Sequence, residues 1–299
     1  MQTPPVCNYE GSDYQNTFWE EGGRAYEDAC EAVALERLLP HNGRHLLELG
    51  AGAGRNTPRY QAYEHITLLD YSRSQLQQAQ ARLGTSDRYR YVAADIYRLP
   101  FVDGVFDGAT MIRTLHHMAD PRLALSQVRR VLEPDAVFIL EYANKRNLKS
   151  ILRYMLRKQD WSPYSREAVE YIPLNFDFHP AAIREWLAAV GFRIERTLTV
   201  SHLRLGFLKR HVPTRLLVAL DSVLQHTGEL WQLTPSVFLR ASVTDSVNKA
   251  LPEAFFACPA CSAPLQDTPP LIHCSACGHS YPVADNIYDF RINPPSETT

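Results

Sequence analysis

Between about residues 24 and 142 the chain switches repeatedly between an apolar period near 3.6 and short continuous apolar runs. Residues 24–39 carry one apolar face and stop at Pro40, which predicts a helix. HLLEL (45–49) and HITLLD (65–70) are too short for helices and read as strands buried on both faces. Another helix is expected between them, opening around Asn56 to Pro58. Ser72 and Gln75 form a capping box before a helix ending near Gly84, and YRYVAAD (89–95) is the third strand. VFDGATMI (105–112) is the fourth. Asp120-Pro121 opens the next helix, with a cap residue followed by proline, and AVFILEY (136–142) is the fifth strand. Five βα units in order predict an α/β fold with a doubly wound, mostly parallel sheet and helices on both faces.

From 143 to 180 the regularity breaks. NLKSILRYMLRK (147–158) places Leu148, Ile151, Leu152, Met155 and Leu156 on one helical face and Lys149, Arg153 and Arg157 on another. A helix over 180–190, stopped by Gly191, and a strand over 192–200 resume the pattern. A helix over 213–225 and a last strand, SVFLRASV (236–243), complete a seven-stranded sheet, the last strand adding antiparallel after its long excursion. Residues 1–243 thus form one expected domain with helical inserts at about 145–178 and 204–234, and polar residues 244–252 form a linker to a second domain at 252–295.

Composition sets outer limits. The 31 Lys and Arg against 33 Asp and Glu leave a net charge of −2, which lacks the positive field that drives non-specific nucleic-acid binding. No run approaches a membrane span and the first residues carry no export signal, so a cytoplasmic protein is expected.

The chemistry concentrates in LLELGAGAGRNTP (46–58). Following a strand, Gly50, Gly52 and Gly54 let the backbone turn tightly and approach a ligand. The spacing is G-x-G-x-G, not the G-x-G-x-x-G of dinucleotide folds. Asp70 ends the next strand, where a carboxylate can accept both hydroxyls of a ribose. Asp95 ends the third, in position for an adenine amino group, with Tyr71 and Ile96 adjacent to flank its ring.

Taken in order, ELGAGAGR, LLDYS, AADIYRLPF and FDGATMIRTLHHMADPRLALSQVRRVLEPDAVFILE resemble the motif series of class I S-adenosylmethionine-dependent methyltransferases, especially the small-molecule type 11 group, over about residues 24–243. The resemblance implies that Glu48, Gly50 and Gly52 line the methionine part of the cofactor, Asp70 the ribose, and Asp95 and Ile96 the adenine. Two departures stand out: Glu133-Pro134-Asp135 replaces a Pro-Gly-Gly turn, and Gly54 precedes Arg55 rather than a hydroxyl residue. Because a sulfonium activates its own methyl group, the protein's main task would be alignment. His116 or His117, in MIRTLHHM (111–118), is placed to remove an acceptor proton, or else packs and bonds locally; Arg113 is placed to orient the methionine carboxylate or an acidic substrate.

Of six cysteines, Cys7 and Cys30 are isolated, whereas Cys258, Cys261, Cys274 and Cys277 form Cys-x2-Cys, twelve residues and Cys-x2-Cys. Four thiolates at that spacing close a structural Zn²⁺ site with no open position, and His273 and His279 would support the ligands. The stretch also resembles the bacterial zinc-ribbon family related to the small subunit that activates several methyltransferases, with Asn286 in place of a glycine. Its distance in sequence from the glycine turn predicts that losing the ribbon leaves cofactor binding intact. The expected function is methyl transfer to a small or lipid-like acceptor, O- or C-linked, the inserts forming lid and pocket. No Asn/Asp-Pro-Pro-aromatic motif follows the fourth strand, which disfavours base amines. Two alternatives are an RNA methyltransferase gripping RNA with its ribbon, which the net charge opposes, and a non-catalytic cofactor- or partner-binding subunit.

Overall fold

The computed structural model describes residues 4–12, 23–244 and 254–292; of the expected linker, residues 245–252 lie outside them. Helix α1 (Ala25–Leu38) precedes β1 (Gly43–Leu49), β2 (Tyr63–Asp70), α2 (Arg73–Leu83), β3 (Tyr89–Ala93) and β4 (Phe106–Met111). Then come α3 (Pro121–Val131), β5 (Leu132–Ala143), α4 (Leu148–Met155), a hairpin of β6 (Val169–Ile172) and β7 (Asn175–Asp177), α5 (Pro180–Ala189) and β8 (Phe192–Val200). The large unit ends with α6 (Gly206–His211), α7 (Thr214–Leu224) and β9 (Ser236–Val243). Five short strands follow: β10 (Phe256–Ala257), β11 (Pro264–Leu265), β12 (Leu271–His273), β13 (Ser280–Ala284) and β14 (Ile287–Asp289).

The main sheet runs β3-β2-β1-β4-β5-β9-β8, with β9 antiparallel to both neighbours, as the late strand predicted. It does not stop at seven. β14 pairs in parallel with β3, Ile287 opposite Tyr91 and Asp289 opposite Ala93, so β12-β13-β14 extend it to ten strands. Both sheet faces are covered. Leu47, Met111, Phe138 and Leu140 point into one apolar cluster; Leu46, Ile66, Leu68 and Ile139 point into another, which is why these strands read as continuous apolar runs.

The helix expected between β1 and β2 is absent. Only twelve or so residues separate the strands, Pro58 lies among them, and the chain makes a single 3-10 turn (Thr57–Arg59). The glycine turn therefore works without a following α-helix. The capping box is half formed: Ser72 Oγ accepts from Gln75 N at 3.2 Å, but Ser72 N donates to Asp70 Oδ1 (2.9 Å), a carboxylate being a stronger acceptor than the Gln75 amide. Gln75 Nε2 turns instead to Ser12 O (2.6 Å). At both departures from glycine, a short polar residue takes the left-handed conformation: Asp135 at φ 60°, and Asp285 and Asn286 at 55° and 58° in the β13–β14 turn.

Candidate active site

The strand order reverses between β1 and β4, and a cavity lies outside their C-terminal ends, where such a sheet leaves a crevice. Its floor is the glycine turn. Gly50 has φ 65°, and a Cβ there would stand 2.2 Å from Thr114 Oγ1, so both backbone and space require glycine. Gly52, at φ 52°, turns its N–H to Asp70 Oδ2 (2.8 Å), while Ala51 N donates to Leu69 O (3.0 Å). Asp70 thus ties the turn to β2. Burial pushes its carboxyl up, and the backbone amides that bond it pull the other way without cancelling the rise.

Glu48, next to last in β1, is buried with Thr57 donating to its Oε2 at 2.6 Å. Burial raises this carboxyl to about 7, outweighing the hydroxyl and the Arg55 charge that lower it. Arg113, just past β4, is held at φ 59° with its amide on Glu141 Oε2 (3.0 Å) and its Nε on Glu31 Oε1 (2.8 Å). Arg55 donates to the other oxygen of Glu31 at 2.8 Å. Glu31 is fully buried in α1; burial alone would raise its carboxyl, but the two guanidiniums hold it at about 2. The two arginines are thereby fixed on the cavity wall.

Glu48, Gly50, Gly52, Asp70, Tyr71, Ile96, Arg113 and His117 all line this one cavity. Asp95 and His116 are not among its lining residues. Asp95 caps a short 3-10 turn, its Oδ1 accepting from Tyr97 N at 2.9 Å. His116 is half-buried, its Nδ1 enclosed and without a partner among the described residues, and loss of solvent drives its ring far below the ordinary value. His117 is held at both nitrogens. Nδ1 stands 3.0 Å from Leu174 O, an acceptor only, so Nδ1 carries the hydrogen and Nε2 accepts from Tyr9 O–H at 3.1 Å.

Sequence reasoning missed the wall that Val6, Cys7 and Tyr9 supply from the N-terminal segment. Nothing in their local pattern signals it, because tertiary contacts hold the segment. Glu10 Oε1 accepts from Ser74 N (2.8 Å), and its Oε2 from Arg73 N (3.0 Å) and from Arg291 Nη1 (3.2 Å). Arg291, beyond β14, is buried, pairs with Asp289 and donates to Tyr71 O at 3.3 Å. Arg291 therefore links the ribbon to the segment that walls the cavity. Glu10→Gln should lower the affinity for S-adenosylhomocysteine by about threefold to tenfold, as a charge-assisted clamp becomes neutral. Calorimetry giving an unchanged constant would detach this segment from the cavity.

The four C-terminal cysteines converge: their sulfurs lie within 4.8 Å of one another, with Cys258–Cys277 and Cys261–Cys274 each at 3.6 Å. A tetrahedron with ~2.3 Å metal–sulfur bonds has edges of about 3.8 Å, so the donor set fits zinc and the spacing is too wide for disulfides. Both pairs make the same turn, Ser262 N reaching Cys258 O (2.7 Å) and Gly278 N reaching Cys274 O (2.9 Å), with Ser262 and Gly278 at positive φ. His279 Nδ1 lies 3.3 Å from Cys277 Sγ, and Tyr281 O–H 3.1 Å from Cys258 Sγ.

Comparison with known proteins places the same residues among methyltransferases by similarity. Residues 47–140 match the Methyltransferase domain family. Over 128 residues the chain is 37% identical to the O-methyltransferase resE of Aspergillus sclerotiorum, covering 39% of this chain and 48% of that one. Over 192 residues it is 29% identical to the demethylmenaquinone methyltransferase of Clavibacter sepedonicus, covering 60% and 77%. The chain spans about half the length of the first curated relatives it matches. A solved complex between the Haloferax volcanii Trm112 methyltransferase activator and a methyltransferase shares the fold at TM-score 0.55 and 18% identity, covering 78% of this chain and 96% of that one. An S-adenosylmethionine-dependent methyltransferase from Listeria monocytogenes aligns at TM-score 0.54 and 16% identity, covering 74% and 99%. Residues 47–140 thus match a methyltransferase domain, and the fold is shared with that of solved S-adenosylmethionine-dependent methyltransferases.

Proposed function

We propose that the protein binds S-adenosylmethionine in this cavity and transfers its methyl group to a small or lipid-like acceptor, with a zinc ribbon built into the sheet as a resident stabilising unit. The observation that carries the reading is the Gly52–Asp70 pairing beneath a cavity lined by Glu48 and Arg113. The names of the O-methyltransferase and demethylmenaquinone methyltransferase relatives support the acceptor class.

When bound, the cofactor supplies a methyl group on a positively charged sulfur, already activated for in-line displacement. The protein's part is placement. Asp70 retains lone pairs beyond those used by Gly52 and Ser72 and would receive the ribose hydroxyls; Tyr71 and Ile96 would flank the adenine, and Asp95, next to Ile96 in the chain, would meet its amino group. Glu48 would take the methionine ammonium and Arg113 its carboxylate. His117 is the candidate base: its Nε2 faces the cavity segment that carries Tyr9, and burial lowers its pKa, so it is neutral and able to accept a proton once Tyr9 turns away. His116 has no such access and would serve packing. Cys258, Cys261, Cys274 and Cys277 would hold the zinc, which in a closed four-thiolate site takes no part in the transfer.

Glu48 makes the binding pH-dependent. Its folded value, about 7, lies above the ordinary 4.5, so the stability linked to it is complete below pH 4.5 and is lost as pH rises through about 7. A bound ammonium favours the ionised form. Cofactor affinity should therefore rise up to about tenfold between pH 6 and 8, while the melting temperature of the free protein falls over the same interval. Glu48→Gln should flatten both profiles. The reading itself is tested by calorimetry with S-adenosylhomocysteine at pH 8: one site per chain supports it, and no heat of binding refutes it.

A further inference from the structure

Two helices beside the active edge of the sheet turn apolar stripes outward. In α4, Leu148, Leu152, Met155 and Leu156 are exposed, Met155 at 70%, while Ser150 on the opposite side is buried. In α7, Leu216, Leu220 and Val223 are exposed, Val223 at 73%, while Leu217 and Asp221 face inward against the large domain. The spacing i, i+4, i+7 is that of a core-facing helix, yet among the described residues nothing covers it. Leu230 (78%) and Trp231 (61%) are exposed in the segment that follows α7, and Leu148 N donates to Leu233 O at 2.8 Å, joining the start of α4 to this segment.

The exposed charges within these two segments have one sign. Residues 146–158 and 205–224 expose Arg146, Lys149, Arg153, Arg157, Lys158, Arg210 and Arg215, and their only acid, Asp221, is buried on Ser201 and His202 amides. The nearest exposed acids along the chain are Asp160 and Glu229. Seven exposed bases without an exposed acid stand out in a chain whose net charge is −2. A second copy of this chain is a poor occupant, because a twofold contact would set the same cations against each other. RNA would use the bases but leave the leucine and methionine stripes in water. Apolar residues flanked by Lys and Arg are what an interfacial helix lays on an anionic bilayer.

The topology adds a direction. β5 and β8 run parallel to β1 and β4, so α4 and α6, which follow their C-terminal ends, leave from the edge that carries Gly50 and Arg113. We propose that the outward faces of α4 and α7, with the exposed Leu230 and Trp231, dock on the surface of a membrane rich in anionic lipid and set the cavity edge toward it. Docking stands on this surface alone; the methyl-transfer reading gives it a use, delivery of a lipid-like acceptor.

The test is flotation of the full-length, zinc-loaded protein with vesicles of phosphatidylcholine alone or with about 30% phosphatidylglycerol, without cofactor. The protein should float with the anionic vesicles, be released in large part at about 0.5 M salt, and stay behind with the neutral ones. Arg153→Glu with Arg157→Glu, and separately Met155→Ser with Val223→Ser, should each weaken partitioning about tenfold or more, since each pair removes charge or apolar contact from the face. Unchanged binding of S-adenosylhomocysteine shows that these surface variants are folded, and separates this outcome from failure of the methyl-transfer reading. No flotation with anionic vesicles, equal flotation of the variants, a dimer that Met155→Ser dissociates, or tight RNA binding in place of vesicle binding would each overturn the proposal.

Discussion

Ending the chain at Thr244 should yield a protein that precipitates or elutes as soluble aggregate, and stripping zinc from the full-length protein should do the same more slowly. The ribbon is part of the main core. Phe256, Tyr281 and Phe290 belong to the same buried cluster as Phe101, Phe106 and Met111, and the Phe256 ring stacks 6.0 Å from Phe101 and lies tilted 4.9 Å from Phe290. Ile287 is fully buried in the cluster on the other face of the sheet. Burying a large apolar side chain contributes about 1.5–3 kcal/mol, so four of them represent on the order of 10 kcal/mol, comparable with the whole stability of a domain. Truncation also uncovers β3 as a bare edge, its Tyr91 to Ala93 pairing groups open to other chains. Too small to fold on an apolar core of its own, the ribbon should need the metal to keep its shape. One zinc per chain should co-purify, measurable by atomic absorption. A truncated protein that stays monodisperse and melts as sharply as the full chain would show the ribbon to be an appendage.

Asp70→Ala should weaken S-adenosylmethionine binding by about 1–3 kcal/mol, or roughly tenfold to a hundredfold. Two losses combine. The ribose would lose a charged acceptor, and the Gly52 amide, now paired at 2.8 Å, would be left without its partner so that the turn loosens. Asp70→Asn, which keeps an oxygen for one amide but not the charge, should fall between the two. Calorimetry that found Asp70→Ala equal to the native protein would remove Asp70 from the site.

The legible features were those whose chemistry is local. A glycine turn after an apolar strand, an acid at the end of the next strand, and paired cysteines two residues apart each specify their geometry within a few residues. The doubly wound, mostly parallel sheet followed from the regular alternation of elements. What escaped was tertiary. Glu31 reads as one more position of an amphipathic helix, and only its meeting with Arg55 and Arg113 makes it the anchor of the cavity wall. Tyr9 and Glu10 carry no pattern, because their positions are set by His117 and by the amides that open α2. The stripe of α7 resembles a core face, and solvent contact alone distinguishes it. The missing helix after Gly54 reflects chain length: the link to β2 was too short for it.

The most direct test of the account is transfer itself. The zinc-loaded protein would be incubated with S-adenosylmethionine labelled in its methyl group and a cell extract, then separated into organic-phase, small-molecule, RNA and protein fractions. The account predicts label in the organic-phase or small-molecule fraction, reduced strongly by Asp70→Ala. Label in nuclease-sensitive material, or none in any fraction from a protein that binds the cofactor, would contradict it.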